Sequence, residues 1–431
     1  MSQVSMKRVA GASFIGALVE WYDFFLYGTA SALVFNKLFF PNFDPLVGTL
    51  IAFATFGAGF VARPIGGLIF GHFGDKIGRK TILILTLLLM GGSTFLIGVL
   101  PTYSSIGIWA PILLVALRLF QGVGIGGEYG GATLLTVEHA PRNRRGFWGG
   151  VVQSATSGGL LLASGVFSIV SMLPNDQFES WGWRLPFLFS IVLLFVGTFI
   201  RIKISETPAF KEVQEKKEVV KFPIVELFRT YPKNVLLTFG ARIAESVSAN
   251  VTNAFAITYV TTSLGLPRQE ALNGILIAAG VAIIISPLFG ALSDRIGRRP
   301  VYLGGAIFLA AMIFPYFYML NMKTTSVLWF ALVIGYAFGS TLMLSVQSVY
   351  FTELFGVRVR YSALSIVYQV SSILGGFTPL IATYLLKQNG CSPWYVATFT
   401  LITAIITIVS VALTKETFKK DVAETEAMSA R

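Results

Sequence analysis

Glu20 and Asp23 lie three residues apart in the apolar stretch Glu20-Trp21-Tyr22-Asp23-Phe24-Phe25-Leu26-Tyr27-Gly28. Helical geometry brings both carboxylates, with Tyr27, to one face. Acids at membrane depth are expensive and turn toward a protein-lined cavity. A pair of them beside an aqueous path suits the uptake and release of a proton. The alternative is a pair of structural acids held by an internal arginine. Three arginines share these apolar surroundings, Arg63, Arg118 and Arg242. A buried guanidinium demands an anion, from the protein or from a bound molecule. Glu20, Asp23, Glu128 and Glu245 can supply it from within, and a carboxylate substrate from without. One scheme uses both: arginine pairs with an acid while the site is empty, and with substrate once that acid is protonated. The expected proton carriers are Glu20, Asp23 and Glu128. The expected substrate contacts are Arg63, Arg118, Gln121, Tyr22, Tyr27, Gln153, Arg242, Glu245 and Tyr336.

Such groups need long apolar helices to hold them. The chain of 431 residues is 54% hydrophobic and 13% charged, about half the charge of a soluble protein. Apolar runs recur at 9–36, 46–73, 80–101, 107–138, 147–172, 184–203, 233–263, 269–293, 299–321, 325–355, 361–387 and 393–414. Each is long enough to span a bilayer as a helix. The expectation is an all-α membrane protein of twelve spans. A six-helix bundle at 1–204 and another at 233–431 flank a cytoplasmic linker at 205–232, and a short tail ends the chain. Within the linker, Glu212–Glu218 reads equally as an amphipathic helix or a solvated segment. Clusters such as Lys76/Arg79/Lys80, Arg142/Arg144/Arg145 and Arg295/Arg298/Arg299 fall on the face that carries both termini. Lys37, Arg184, Arg268, Lys323 and Lys387 are scattered singly on the other, so the termini are expected in the cytoplasm.

In this frame Arg63 lies ~15 Å inside its span. Arg118, Gln121, Ile125 and Glu128 share a helical face, as do Arg242, Glu245 and Asn253. Span ten lacks an arginine matching Arg118 and offers Tyr336 and Gln347 instead. Gln153, Tyr259, Tyr368 and Gln369 are further polar groups at depth, and such groups are more often helix–helix bonds than ligand contacts. The net charge of +12 is no nucleic-acid signal, because the basic residues sit between apolar runs and form no continuous patch. A single cysteine, Cys391, allows no internal disulfide and supports no metal cluster. No cofactor is implied, and no phosphate loop or nucleophile–base pair marks an enzyme.

The two halves repeat. Gly71-His72-Phe73-Gly74-Asp75-Lys76-Ile77-Gly78-Arg79-Lys80 matches Gly290-Ala291-Leu292-Ser293-Asp294-Arg295-Ile296-Gly297-Arg298-Arg299 at equivalent loops. Internal symmetry of this kind marks a transporter with its site between the repeats. Asp75, Arg79, Asp294 and Arg298 sit where helices leave the membrane. There they can form contacts when that side closes and break them when it opens; the alternative is that they only set loop geometry.

This doubled pattern resembles the signature of the major facilitator superfamily, and Arg118-Leu119-Phe120-Gln121-Gly122 resembles its Arg-x-x-Gln-Gly motif. The Glu20–Phe24 block, Arg63-Pro64-Ile65-Gly66-Gly67, Gly126-Gly127-Glu128-Tyr129-Gly130 and Glu206-Thr207-Pro208 are similar to the metabolite:proton symporter family. Tyr27–Ala32, Phe39-Phe40-Pro41 and Ala52–Phe56 look most like the branch that carries shikimate. The resemblance implies a multi-pass cell inner-membrane carrier, expected to act as a monomer. It would take up a small organic anion with a proton, shikimate or a similar hydroxylated carboxylate. Its alternatives are 2-oxoglutarate, citrate or another metabolite, a zwitterionic osmolyte, or drug export by proton exchange. A membrane sensor is the rival from another class.

Overall fold

The computed structural model describes residues 6–77, 79–126, 137, 140–203, 223–356 and 359–418. The expectations for Glu128 and for positions 205–222 lie outside those residues, as do the side chains of Asp75 and Arg79.

Regular structure among the described residues is helical throughout. α1 (Met6–Ala30) runs on through a π-helical turn, Ser31–Phe35. It is followed by α2 (Pro45–Ile77), α3 (Arg79–Val99), α4 (Trp109–Gly126), α5 (Arg145–Val170) and α6 (Leu185–Lys203). α7 (Pro232–Asn250) continues through π-helical turns at Val251–Phe255 and Tyr259–Ser263. Next come α8 (Arg268–Ile296) and α9 (Arg298–Asn321). α10 consists of Thr325–Val333 and Thr341–Glu353 either side of a π-helical segment, Ile334–Ser340. α11 (Arg360–Gln388) and α12 (Trp394–Leu413) complete the helices. A short helix, Pro223–Thr230, lies in the stretch expected as linker.

Nine helices among the described residues are long and apolar enough to cross a membrane. α1, α3 and α7 fall short of that measure; α1 and α7 carry Glu20 and Asp23, and Arg242, Glu245 and Asn250. The π-helical interruptions fall on α1, α7 and α10, where the extra residue per turn re-aims side chains, a common device at functional sites. Outward-facing residues such as Leu68, Phe195, Leu236 and Ile284 stay exposed, the apolar surface a bilayer covers.

Close backbone approach decides how the helices assemble. Gly122 and Gly126 of α4 lie against the carbonyl oxygens of Gly59 and Arg63 on α2, with no room for a Cβ. Small residues allow such contact where helix association depends on packing rather than on exclusion of water. α5 packs along α8 and α2 along α11, so the first and second halves of the chain meet along two long seams. At the first seam Gly146 and Gly290 face each other so closely that a Cβ on either overlaps the other's carbonyl.

Candidate functional site

α1, α2, α5, α7, α10 and α11 enclose a cavity of about 30 Å³, room for about two waters. Two guanidinium groups reach it from opposite halves of the chain. Arg63, on α2, stacks over the rings of Phe60 and Phe24, 4.2 and 5.6 Å from their centroids. Glu20 and Arg242 act on it electrostatically. Arg242, on α7, is anchored to α11: its Nη1 donates to the Tyr368 carbonyl at 3.0 Å, Ser371 Oγ at 2.6 Å and Ser372 Oγ at 3.0 Å. The guanidinium also lies over the Tyr368 ring at 3.5 Å. Its Nε donates to the Gln347 side-chain oxygen at 3.0 Å, and the Gln347 nitrogen donates to Glu245 Oε2 at 3.3 Å. This amide orientation is assigned from the network, since it alone satisfies both neighbours. Trp21, Phe24, Phe25 and Phe60 form an aromatic wall opposite Glu245, Ser246 and Asn250. The cavity is thus half aromatic and half polar, with cations at two sides.

A second polar cluster lies within the first half, away from the cavity lining. Arg118 donates from Nε and Nη2 to the Phe56 carbonyl, both at 3.4 Å, and from Nη1 to Gln121 Oε1 at 3.1 Å. Gln121 in turn donates to Thr94 Oγ1 at 2.6 Å. The Arg118 guanidinium lies 4.4 Å from the Tyr27 ring centroid, and Tyr27 is bonded to Thr55 at 2.7 Å. Thr94 and Arg118 also face Asp23. Both Asp23 carboxylate oxygens are buried without a hydrogen bond of accepted geometry. An ionised carboxylate in that position is costly, the condition expected of a group that takes a proton from one side and yields it to the other.

The structure therefore sorts the expected residues. Arg63, Arg242, Glu245 and Tyr336 line the cavity. Arg118, Gln121, Tyr27 and Asp23 form the second cluster, and Glu20 is buried and acts on both Arg63 and Asp23. Tyr22 is turned the other way: its hydroxyl donates to the Pro186 carbonyl at 2.6 Å and its ring meets Phe189, so it ties α1 to α6. One helical step of ~100° from Asp23 is enough to cause this. Gln153 donates to the Leu344 carbonyl at 3.3 Å, a bond between α5 and α10. Among the described residues, Arg118 is held by amide and carbonyl contacts, and a Gln347 bridge joins Arg242 to Glu245. Sequence reasoning missed the aromatic wall, Asn250 and the Ser371–Ser372 pair. The serine pair carried a signal, two hydroxyls one turn after Tyr368 in an apolar run.

Both ends above and below the cavity are joined. At one end Asp294 accepts from Gly146 N at 2.8 Å and Phe147 N at 2.9 Å, capping the start of α5 from α8. Arg298 donates to Asp294 at 2.7 Å and reaches Glu353 at 3.5 Å. Glu416, beyond α12, accepts from Arg298 N at 3.1 Å and Arg299 N at 3.0 Å, where α9 begins. At the other end Arg268, at the start of α8, donates to Asn175 Oδ1 at 2.8 Å and to the Ser171 carbonyl at 3.1 Å, just past α5. Ser168 donates to Asn273 at 2.9 Å one turn deeper.

Comparison with known proteins gives a consistent result. The sequence profile of the Major Facilitator Superfamily matches residues 13–344 and 235–429. The shikimate transporter of Escherichia coli (strain K12) is 44% identical over 414 residues, covering 95% of this chain and 94% of that one. The inner membrane metabolite transport protein YhjE of the same organism is 38% identical, covering 96% and 95%. A solved proton:xylose symporter carrying 6-bromo-6-deoxy-D-glucose superposes with a TM-score of 0.74 at 19% identity over 98% of both chains, a likeness of fold.

Proposed function

The chain belongs to the Major Facilitator Superfamily as a multi-pass membrane transporter, and we propose that it takes up shikimate or a closely similar hydroxylated carboxylate together with a proton. The observation that carries this reading is the pair of guanidinium groups, Arg63 and Arg242, brought to one cavity from the two halves of the chain. A carboxylate bound between them would be held by both halves at once. The aromatic wall suits the face of a carbon ring, and Asn250, Ser246, Tyr336 and Glu245 suit its hydroxyls. The 44% identity to a shikimate transporter supports the substrate class. A ligand site for a small molecule runs to roughly 300 Å³ or more, so the cavity widens as the helices part to admit it.

The finer architecture is part of the proposal. Twelve spans form two six-helix bundles, at 1–204 and 233–431, joined by a linker at 205–232. Both termini face the cytoplasm of a cell inner membrane, and the carrier acts as a monomer. The skewed distribution of lysine and arginine supports the orientation. In this reading Asp23, with Glu20 and Glu128, carries the proton, and Arg118 with Gln121 and Tyr27 sets the state of Asp23. Asp294 and Arg298, with Asp75 and Arg79 as their counterparts in the first repeat, seal the cytoplasmic side. Arg268 and Asn175 seal the outer side.

The test is uptake of labelled shikimate into proteoliposomes under an inward proton gradient. Accumulation above equilibrium, abolished by a protonophore, is the expected result. Asp23→Asn should lose accumulation but retain exchange; full accumulation by that variant removes Asp23 from the coupling. Absence of any shikimate uptake rejects the substrate assignment, and the same vesicles are then offered 2-oxoglutarate and citrate.

A further inference from the structure

Gln347, on α10, lies between the two charged groups of α7. Its amide nitrogen donates to Glu245 at 3.3 Å and its oxygen accepts from Arg242 Nε at 3.0 Å. Gln347 is itself 1% exposed, whereas Arg242 and Glu245 both line the cavity. The Arg242 Nη1 is committed to three acceptors on α11. A carboxylate that grips a guanidinium side-on takes Nε together with the second terminal nitrogen. Nε is the atom that Gln347 holds.

We infer that Gln347 couples proton binding to substrate binding: its amide turns when Glu245 takes a proton, and the turn releases Arg242 Nε to the substrate carboxylate. The inference rests on the reading of Arg242 as a carboxylate-holding residue. Its chemistry follows from the donor inventory. An ionised Glu245 can only accept, so it holds the amide nitrogen. A protonated Glu245 has an O–H to donate, and the amide oxygen is its acceptor. The terminal torsion of glutamine is broad and two-fold, so exchanging oxygen for nitrogen needs little more than a half-turn. After the turn, the amide nitrogen faces Arg242 Nε, donor against donor. The guanidinium has lost an acceptor inside a low-dielectric site, which is costly until another arrives. The substrate carboxylate is that acceptor. This proton is additional to the one assigned to Asp23: it enters Glu245 from the solution that supplies the substrate, and leaves to the opposite solution when the substrate departs and the amide turns back.

Glu245 is also faced by Arg242 on its own helix and by the phenols of Tyr302 on α9, Tyr336 on α10 and Tyr368 on α11. Among these, the phenols are neutral in both states and do not distinguish them. In the Asp23, Thr94, Gln121 and Arg118 cluster of the first half an amide likewise touches the arginine. The difference is that the second-half group opens on the cavity.

The experiment is calorimetric binding of shikimate to the purified full chain at acidic and neutral pH. The parent protein should bind more tightly at acidic pH by roughly tenfold, the worth of one charge-assisted hydrogen bond. Gln347→Leu, which keeps the volume and removes the amide, should hold its affinity near the acidic value at both pH values. The change with pH then falls below about threefold. Gln347→Glu, which keeps Nε occupied by a carboxylate, should weaken binding at neutral pH by at least about tenfold. A Gln347→Leu protein with the parent's pH profile overturns the inference. If Arg242→Ala binds as tightly as the parent, the carboxylate reading itself fails. If Arg242→Ala binds weakly and Gln347→Leu keeps the parent profile, only the amide switch fails. An infrared difference spectrum on acidification needs no substrate. The guanidinium band that disappears in Arg242→Lys should shift in the parent and stay fixed in both Gln347→Leu and Glu245→Gln. A shift that persists in Gln347→Leu overturns the inference by a second route.

Discussion

Replacing Gly290 with alanine should hold the Asp294 end of the molecule apart. The new Cβ would sit 2.9 Å from the Gly146 carbonyl carbon and 3.3 Å from Gly150 Cα, and would overlap the Gly146 oxygen. All three are backbone atoms of α5, so no side chain can turn aside. Carbon atoms rest best at about 3.5–4.0 Å, so α5 and α8 must part by about 1 Å. That movement draws Gly146 N and Phe147 N off the Asp294 carboxylate, where they now lie at 2.8 and 2.9 Å. Overpacking on this scale costs about 1–3 kcal/mol, which moves a two-state equilibrium by roughly 5- to 150-fold. The assay uses a cysteine reporter in the cavity. The exposed Cys391 is replaced by serine, and Ala249, a cavity-lining residue, becomes the reporter as Ala249→Cys. A membrane-impermeant maleimide is then applied from each face of the membrane. Labelling from the Asp294 face should rise at least about fivefold in Gly290→Ala, with no rise from the Arg268 face. Equal rates in parent and variant would refute the reasoning, because the glycine contact would then not be the seal.

The opposite end offers the mirror experiment. Arg268→Ala removes the bonds to Asn175 and the Ser171 carbonyl and the stacking on Phe178 at 3.9 Å. Labelling of the same reporter should rise from the Arg268 face instead, by about fivefold for a net loss of ~1 kcal/mol. Unchanged labelling there would show that the outer side is held by other contacts. Arg242→Lys should cut shikimate uptake at least about tenfold, because an ammonium cannot hold the three acceptors on α11 and grip a carboxylate side-on at once. Near-normal uptake would remove the requirement for a fork. Tyr22→Phe should leave uptake within about twofold and lower thermal stability by ~1 kcal/mol, since it loses only the bond to Pro186. A large loss of uptake with unchanged stability would return Tyr22 to the substrate site.

Much of the chemistry was legible before the fold. Charge at membrane depth is rare and costly, so Glu20, Asp23, Arg63, Arg118, Arg242 and Glu245 announced themselves by residue type alone. The doubled glycine-rich loop marked Asp294 and Arg298 as well, and Asp294 is bonded to Gly146, Phe147 and Arg298. Periodicity also put Arg118 and Gln121 on one helical face, and they are hydrogen-bonded. These features need only composition, spacing and the cost of burying charge.

Other features depend on helices far apart in the chain. Tyr22 lies beside Asp23 in sequence, but the neighbour that claims its hydroxyl is Pro186, 164 residues away. Gln153 and Gln121 are the same residue type at similar depth, yet one bonds an α10 carbonyl and the other supports an arginine. The aromatic wall could not be told from lipid-facing or core phenylalanine, because Phe24, Phe56 and Phe60 have the same local sequence character. Only the crossing of α1, α2 and α11 decides which rings meet the cavity. By itself the sequence determined which residues are too costly to bury without purpose, and that a glycine-rich loop occurs twice. The tertiary structure decided which partner each obtained. A hydrogen bond needs its atoms within about 3 Å, and that distance is set by helix crossings between glycines far apart in the chain, as where Gly146 meets Gly290.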